Sequence, residues 1–333
     1  MAALVGHDEP ALTTLTTKEG WRYFVTHTPR PPTPPENFAT PDQAEHEAYN
    51  QRRLDYLSNP ITIYTPVLQR AAVNVRRLLL LNRRQTSARR GLIISGDGGT
   101  GKTTILTQIG RMHEHAVATQ HTLQKRSPRI PVIYITLPTA ATPKMLAAEF
   151  ARFLGLPIPQ RANITGITEM VCRVLCDTGC QLVLVDELHN LSLATRSGAE
   201  VSDHLKYFSE RLPATFVYAG IDLEERGLFT GTRGKQIASR FILANTRCFD
   251  YGTAEQRDHW NATVATFEQA LCLHPPEPCN LTQHSQYLYT RTRGMIGTLS
   301  HLIRAAAIDA ICDGTETITR EHFDAIDLDK AAA

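Results

Sequence analysis

The chain predicts an α/β fold: a parallel sheet with helices on both faces, followed by a small all-helical domain. Three observations carry this expectation. Short apolar runs alternate with helical patterns from about residue 91 to residue 220, the signature of a parallel sheet. A glycine-rich loop joins the first of those runs to a helical pattern. After about Thr253 the strand-like runs cease and only helical patterns remain.

From the N-terminus, a short leader over residues 1–28 precedes the proline-rich stretch PRPPTPPENFATP, Pro29 to Pro41. Proline at that density prevents helix and favours an extended, semi-rigid spacer. Within the leader, WRYFV suits a small strand, a partner-docking anchor or a loosely packed arm. The pattern turns helical at EHEAYNQRRLDYL, and Thr65-Pro66 then reads as the N-cap and first residue of VLQRAAVNVRRLLLLN. Between Asp55 and Asp97 no acidic residue occurs, yet Arg70, Arg76, Arg77, Arg83, Arg84, Arg89 and Arg90 do. Such a run usually marks a solvated face, and it also suits a phosphate or an acidic partner. Expected strands are GLIIS (91–95), PVIYITL (131–137), QLVLVDE (181–187), TFVYAG (215–220) and, as a fifth, RCFDY (247–251). The helical patterns AEQRDHWNATVATFEQALCL, LTQHSQYLYTR and MIGTLSHLIRAAAIDAIC close the chain. The expected division is a leader and tether over 1–41, an α/β domain over 42–252 and a helical domain over 253–330.

Composition bounds the function. With 333 residues, 42% of them hydrophobic and 20% charged, the chain can bury a sizeable core. A net charge of +2 gives no global field toward a polyanion, so any nucleic-acid contact is expected from local patches. No apolar run approaches the ~20 residues of a membrane span. MAALVGHDEP lacks the charged and apolar regions of a secretory signal. Seven cysteines, with Cys172, Cys176 and Cys180 evenly spaced and no C-x-x-C pair, suggest reduced thiols in a cytoplasmic protein and no metal site.

Chemistry concentrates at GDGGTGKTT, which has the G-x-x-x-x-G-K-T spacing of a phosphate-binding loop and sits between a strand and a helix. Gly96, Asp97, Gly98, Gly99, Thr100, Gly101, Lys102, Thr103 and Thr104 are the expected nucleotide-binding residues. The glycines let backbone N–H groups turn inward around phosphate oxygens, and the helix N-terminus adds its partial positive charge. Lys102 is expected to reach the terminal phosphates of ATP, and the Thr103 hydroxyl to face Mg²⁺. LVLVDE supplies the second half: Asp186 as a metal ligand and Glu187 as the group that activates water, which points to hydrolysis. The string D-E-L-H also fits the DExH box of helicases, but the 144 residues after it, most of them in helical patterns, leave no room for a second motor domain. His189 is then expected as a first-turn helix residue.

GTRGKQIASRF (231–241) contains Gln236, Ser239, Arg240 and Phe241, which resemble the SRF box of AAA+ ATPases. Arg240, with Arg233 second, is the candidate arginine finger acting on a neighbouring subunit's nucleotide. An intramolecular ion pair at a helix terminus is the competing reading of Arg240. With the helical domain serving as lid, the chain resembles an AAA+ P-loop NTPase from about residue 45 to 327. The closest resemblance within that superfamily is to the transposition ATPases of the TniB/TnsC type, relatives of MuB. It rests on NPITIYTPVLQRAAVNVRRLLLLNRR, GDGGTGKTT, YITLPTAATPKMLAAEFARFLGLP, LVLVDELHNL, GKQIASRF and GMIGTLSHLIRAAA.

Two departures stand out. The sensor position at the end of the fourth strand falls at Ala219-Gly220, and the lid's sensor arginine aligns near Gly297, with Arg291 or Arg293 as substitutes. Slow, switch-like hydrolysis is the consequence expected. The resemblance implies a homo-oligomer, a ring or a filament, that assembles on double-stranded DNA with ATP and Mg²⁺. It also implies a DDE transposase as partner and leaves room for a target-selection adaptor. The segment after the second strand would face the DNA, with Thr139, Thr142 and Lys144 as candidate contacts. Thr142-Pro143 equally suits the N-cap and first residue of a helix. A signalling or scaffold ATPase without DNA, and a helicase-loader ATPase, are the alternative functions.

Overall fold

The computed structural model describes residues 14–35, 42–122, 129–191, 195–225, 231–275 and 280–328. In chain order the elements are α1 (Lys18–Thr26), α2 (Gln43–Ser58), α3 (Pro66–Asn82), β1 (Gly91–Gly96), α4 (Lys102–Thr122), β2 (Val132–Thr136), α5 (Pro143–Leu154), α6 (Ile164–Asp177), β3 (Leu182–Asp186), α7 (Arg196–Arg211), β4 (Thr215–Ile221), α8 (Gly231–Arg240) and β5 (Phe241–Thr246). After these come α9 (Ala254–Gln269), α10 (Ser285–Thr292), α11 (Ile296–Cys312) and α12 (Arg320–Ala325).

The chain divides into two compact units. One holds residues 1–28, 66–96 and 102–246; the other holds 29–65, 97–101 and 247–333. This grouping differs from a linear division at residues 42 and 253. The leader falls with the α/β unit and the helix after the tether falls with the helical unit. Most of the leader (1–13) and the end of the tether (36–41) lie outside the described residues.

The α/β unit is built on a five-stranded sheet of order β2-β3-β4-β1-β5, parallel throughout. Strand β3 reads LVLVD and is buried along its whole length, as a central parallel strand covered on both faces must be. All strands run the same way, so the chain leaves β1, β3 and β4 at one edge of the sheet. Open α/β sheets bind ligands outside this edge. Four strands fall where the sequence places them. The fifth does not: β5 is FILANT, paired with β1 from Gly91↔Phe241 to Gly96↔Thr246, and RCFDY is not a strand. FILANT is only partly buried and ends in Asn245 and Thr246, so it lacks the continuous apolar run that marks the others.

The leader segment WRYFV lies in helix α1, which is neither a strand nor a loose arm. Thr17 caps it by accepting from the Gly20 N–H at 3.1 Å. Trp21 is 1% exposed, stacks on Tyr134 of β2 with ring centroids 6.0 Å apart, and donates its indole N–H to Glu114 at 2.5 Å. The indole fits because residue 110 of α4 is glycine; a Cβ there would lie 2.6 Å from both Trp21 and Leu184. On α3, Arg76 and Arg77 are exposed, as are Arg83 and Arg84 just beyond it, while Asn82 is buried and donates to the Arg90 carbonyl and the Thr215 hydroxyl.

The helical unit packs α2 with α9 to α12 around Leu57, Trp260, Phe267, Leu302 and Phe323. Arg53 of α2 is fully buried. Its guanidinium makes two hydrogen bonds to Glu316, at 2.6 and 2.7 Å, and reaches the Cys272 carbonyl at 3.1 Å. A buried charge persists only with such partners. Burial alone would raise the Glu316 carboxyl, but hydrogen bonds from Arg53 and from the His274 N–H outweigh it and hold the group below its usual range. Arg304 of α11 donates to the Leu57 and Ser58 carbonyls, both at 2.7 Å, and so caps the C-terminal end of α2.

The leader's docking is tested by Trp21→Ala. Removing a fully buried indole should destabilise the α/β unit by about 3–5 kcal/mol. Urea unfolding followed by circular dichroism checks this; a loss under about 1 kcal/mol would mean that α1 contributes little to the core.

Candidate functional site

The glycine loop leaves β1 at Gly96 and enters α4 at Lys102. Gly96 has φ +149°, and a Cβ there would sit 1.9 Å from the Thr246 carbonyl oxygen of β5, so only glycine lets the chain leave the strand here. Gly98 has no such internal reason: a Cβ on it meets nothing within 4 Å. A bare backbone that the protein's own packing does not require suits close approach by a ligand. Gly99 and Gly101 take φ +70° and +84° and curl the loop, and Thr100 closes its turn by donating to the Asp97 carbonyl at 2.8 Å. Lys102 is 8% exposed, while Thr103 and Thr104 are exposed on the first turn of α4.

Three donors converge on the Asp186 carboxylate, which is 3% exposed. The Thr103 hydroxyl donates to Oδ2 at 2.7 Å and the Tyr134 hydroxyl to the same oxygen at 3.0 Å. The Glu187 N–H donates to Oδ1 at 2.8 Å. Thr103 and Asp186, the two expected metal ligands, are therefore brought together. Both offer hard oxygen atoms, as Mg²⁺ requires, and Mg²⁺ needs only one or two protein groups when phosphates supply the rest. Tyr134 was not singled out from sequence. Its register partner is Leu184, two residues before Asp186, so tyrosine and aspartate share one face of the sheet. Burial, and then the nearby Asp186 carboxylate, push the Tyr134 hydroxyl far above its usual range, so it stays protonated and donates.

Glu187 follows β3 in a left-handed backbone conformation, φ 60° and ψ 32°. His189 lies in the 3-10 turn Leu188–Asn190, not in the first turn of an α-helix, and its Nε2 is 3.1 Å from Glu187 Oε2. Asn190 donates to the Leu137 carbonyl at 2.8 Å and fixes the turn against the segment that follows β2.

The remaining candidates are more scattered. Arg240 ends α8 and pairs with Glu210 of α7, Nη1 to Oε1, at 2.5 Å. The hydrogen bond from Arg240 holds the Glu210 carboxyl below its usual range. Within a single chain Arg240 thus makes the intramolecular pair. The side chains of Arg233 and Gln236 lie outside the described residues. Thr139 and Lys144 are exposed. Thr142 is the N-cap of α5, accepting from the Met145 N–H at 3.2 Å, with Pro143 at its first position.

Within the helical unit, Gly297 meets the phosphate loop through its backbone: its N–H donates to the Gly99 carbonyl at 3.0 Å. A Cβ at Gly297 would lie 3.1 Å from that oxygen. The position where a sensor arginine is expected is thus a close backbone contact. The Arg291 guanidinium is held by the Tyr287 hydroxyl and by the Phe323 and Ile326 carbonyls at 3.0, 3.3 and 2.8 Å. Arg293 sits in the left-handed region at φ 50°.

A family model described as bacterial TniB protein matches residues 53–250. No curated protein sequence matches the chain. Among solved structures, the ORC1 protein of Aeropyrum pernix, in complex with DNA, superposes with a TM-score of 0.57 at 18% identity, over 82% of this chain and 67% of that one. The A. pernix ORC2 protein gives 0.58 at 15% identity, over 82% and 70%. CDC6P from Pyrobaculum aerophilum gives 0.53 at 17%, over 80% and 69%. At such identities the likeness establishes the fold alone: an AAA+ P-loop NTPase sheet followed by a helical region. Among the described residues no helix is long and apolar enough to cross a membrane.

Proposed function

We propose that this chain, which belongs to the bacterial TniB family, is an ATP-hydrolysing regulator of DNA transposition that oligomerises on target duplex DNA and recruits or activates a DDE transposase. The observation that carries the reading is the Thr103–Asp186–Glu187 arrangement at the carboxyl edge of an AAA+ sheet, in a chain of that family. Residues 96–104 bind the phosphates, and Lys102 supplies the cation for the terminal ones. Thr103 and Asp186 would hold Mg²⁺, which when bound neutralises charge on the phosphate oxygens. Glu187 takes a proton from the attacking water as the bond to the terminal phosphoryl group breaks, giving ADP and phosphate. With Ala219-Gly220 and Gly297 at the sensor positions, hydrolysis is slow and serves as a switch that disassembles the oligomer. A target-selection adaptor and a cytoplasmic location belong to the same reading.

Lys102→Ala should abolish ATP binding, measured with a fluorescent ATP analogue, because it removes the one motif cation aimed at the terminal phosphates. Glu187→Gln should bind ATP as the parent does and lower kcat by about a hundredfold or more. Turnover at the parental rate in the glutamine variant would remove Glu187 from the mechanism.

Arg240 acts in trans as an arginine finger, exchanging Glu210 for a neighbour's phosphates. Arg240→Ala and Lys102→Ala proteins, each inactive alone, should recover measurable ATPase activity when mixed, because some interfaces then carry both groups. Light scattering verifies that mixed oligomers form. If they form and no mixing ratio restores activity, Arg240 is only a structural ion pair.

Duplex DNA is the partner that separates this reading from a protein scaffold. The A. pernix ORC1 structure contains DNA, and the exposed Thr139 and Lys144 suit contact with phosphates irrespective of sequence. Thr142 has a structural duty as the N-cap, so Lys144 is the deciding residue. Lys144→Glu should weaken ATP-dependent duplex binding for all sequences and reduce the salt slope by about 1, with ATP binding intact. Parental affinity and an unchanged slope would remove this loop from the DNA interface.

A further inference from the structure

His189 has a place in the geometry that the loop and the two acids do not account for. Its ring touches two groups. Nδ1 lies 3.4 Å from the backbone nitrogen of Ile221, the last residue of β4, and Nε2 lies 3.1 Å from Glu187 Oε2. A backbone N–H can only donate, so Nδ1 is the acceptor and carries no proton. The ring proton is therefore on Nε2, where it can donate to the carboxylate. Among the described residues this is the only side-chain partner of the Glu187 carboxylate. One carboxylate oxygen is thus held, and the other is left for a proton from water.

The backbone supports this arrangement. Glu187 pays for its left-handed φ of 60° with strain of order 1–3 kcal/mol, which persists only where the surroundings over-determine it. Here the Glu187 N–H is tied to Asp186 Oδ1 at 2.8 Å, and the Glu187 carbonyl accepts from the Asn190 N–H at 2.9 Å. Close packing brings His189 to β4: a Cβ at Gly220 would lie 2.9 Å from the His189 backbone nitrogen. Glycine at position 220, near the strand end, is therefore what lets the 3-10 turn approach. In place of a polar side chain reaching out from β4, a histidine from the acidic turn reaches in to β4's backbone.

We propose that His189 is a positioning residue for hydrolysis, holding the Glu187 carboxylate in its working orientation and tying it to the end of β4. The proposal rests on the reading of Glu187 as the group that activates water. A base oriented by a second side chain, itself fixed by a third group, is a recurrent arrangement in enzymes.

The test uses the full chain and has two arms. In nucleotide-free protein labelled with ¹⁵N-histidine, long-range proton–nitrogen spectra should show His189 as the neutral Nε2–H tautomer, its signals assigned by their loss in His189→Gln. Glu187→Ala should shift its Nε2 resonance. The Nδ1–H tautomer, or resonances indifferent to Glu187→Ala, overturns the proposal whatever the ATPase activity.

In the second arm, with MgATP, His189→Ala should lower kcat about tenfold or more while the affinity for a fluorescent ATP analogue stays parental. His189→Gln, whose amide can donate to Glu187 and accept from Ile221, should retain more activity than the alanine variant. Combining His189→Ala with Glu187→Gln should cost no more than Glu187→Gln alone. Parental or raised kcat in His189→Ala overturns the proposal. So does a loss of ATP affinity in parallel with kcat, which is what a merely structural role would give. Glu187→Gln separates the two levels: if it stays active, the reading of Glu187 fails first; if it is inactive while His189→Ala is unimpaired, only the role of His189 fails.

Discussion

A buried carboxylate needs donors, and the α/β unit is arranged around supplying them to Asp186. At 3% exposure the side chain has lost almost all contact with water, and without partners its burial would cost several kcal/mol. Three elements meet this demand: α4 through Thr103, β2 through Tyr134 and the turn after β3 through the Glu187 N–H. Each donor in turn fixes something else. Thr103 belongs to the first turn of the helix that the phosphate loop enters. Tyr134 carries the indole of α1 on its ring. Glu187 begins the turn that places His189 and Asn190. Asp186 is thus the point at which the start of α4, β2 and the turn after β3 are tied together.

Much of this was legible in the sequence because it is local. The loop is a contiguous string, the first four strands are continuous apolar runs, and Asp186 and Glu187 are adjacent. The failures are all non-local. Tyr134 reaches Asp186 because β2 and β3 pair with Tyr134 opposite Leu184, and register is not written in either strand alone. α1 docks because residue 110, far along the chain, is a glycine. Strand β5 was missed because FILANT is only partly buried and ends in two polar residues. Arg53 reads from sequence as one more charge on a polar helix, and only the fold shows Glu316 beside it.

In the helical unit, glycine at 297 lets the start of α11 approach the Gly99 carbonyl, and the Gly297 N–H becomes the donor. A backbone donor is fixed in direction and cannot extend as an arginine does. It ties the start of α11 to the loop at Gly99. Arg291, the nearest candidate to take over, is held by carbonyls at Phe323 and Ile326, beside α12. The arginine's work here is to cap a helix end.

Two ion pairs of the fold differ in strength because they differ in burial. Arg53 is fully buried and the Glu316 side chain is 14% exposed, and breaking a pair with one fully buried charge costs about 3–5 kcal/mol. That pair belongs to the permanent framework of its unit. Arg240 and Glu210 are each about one-third exposed, with side-chain exposures of 33% and 34%. Exposed pairs contribute only about 0–1 kcal/mol, and salt weakens them further. Losing so weak a pair costs little, so the Arg240–Glu210 contact is compatible with the finger role proposed for Arg240, in which a more highly charged phosphate replaces the carboxylate.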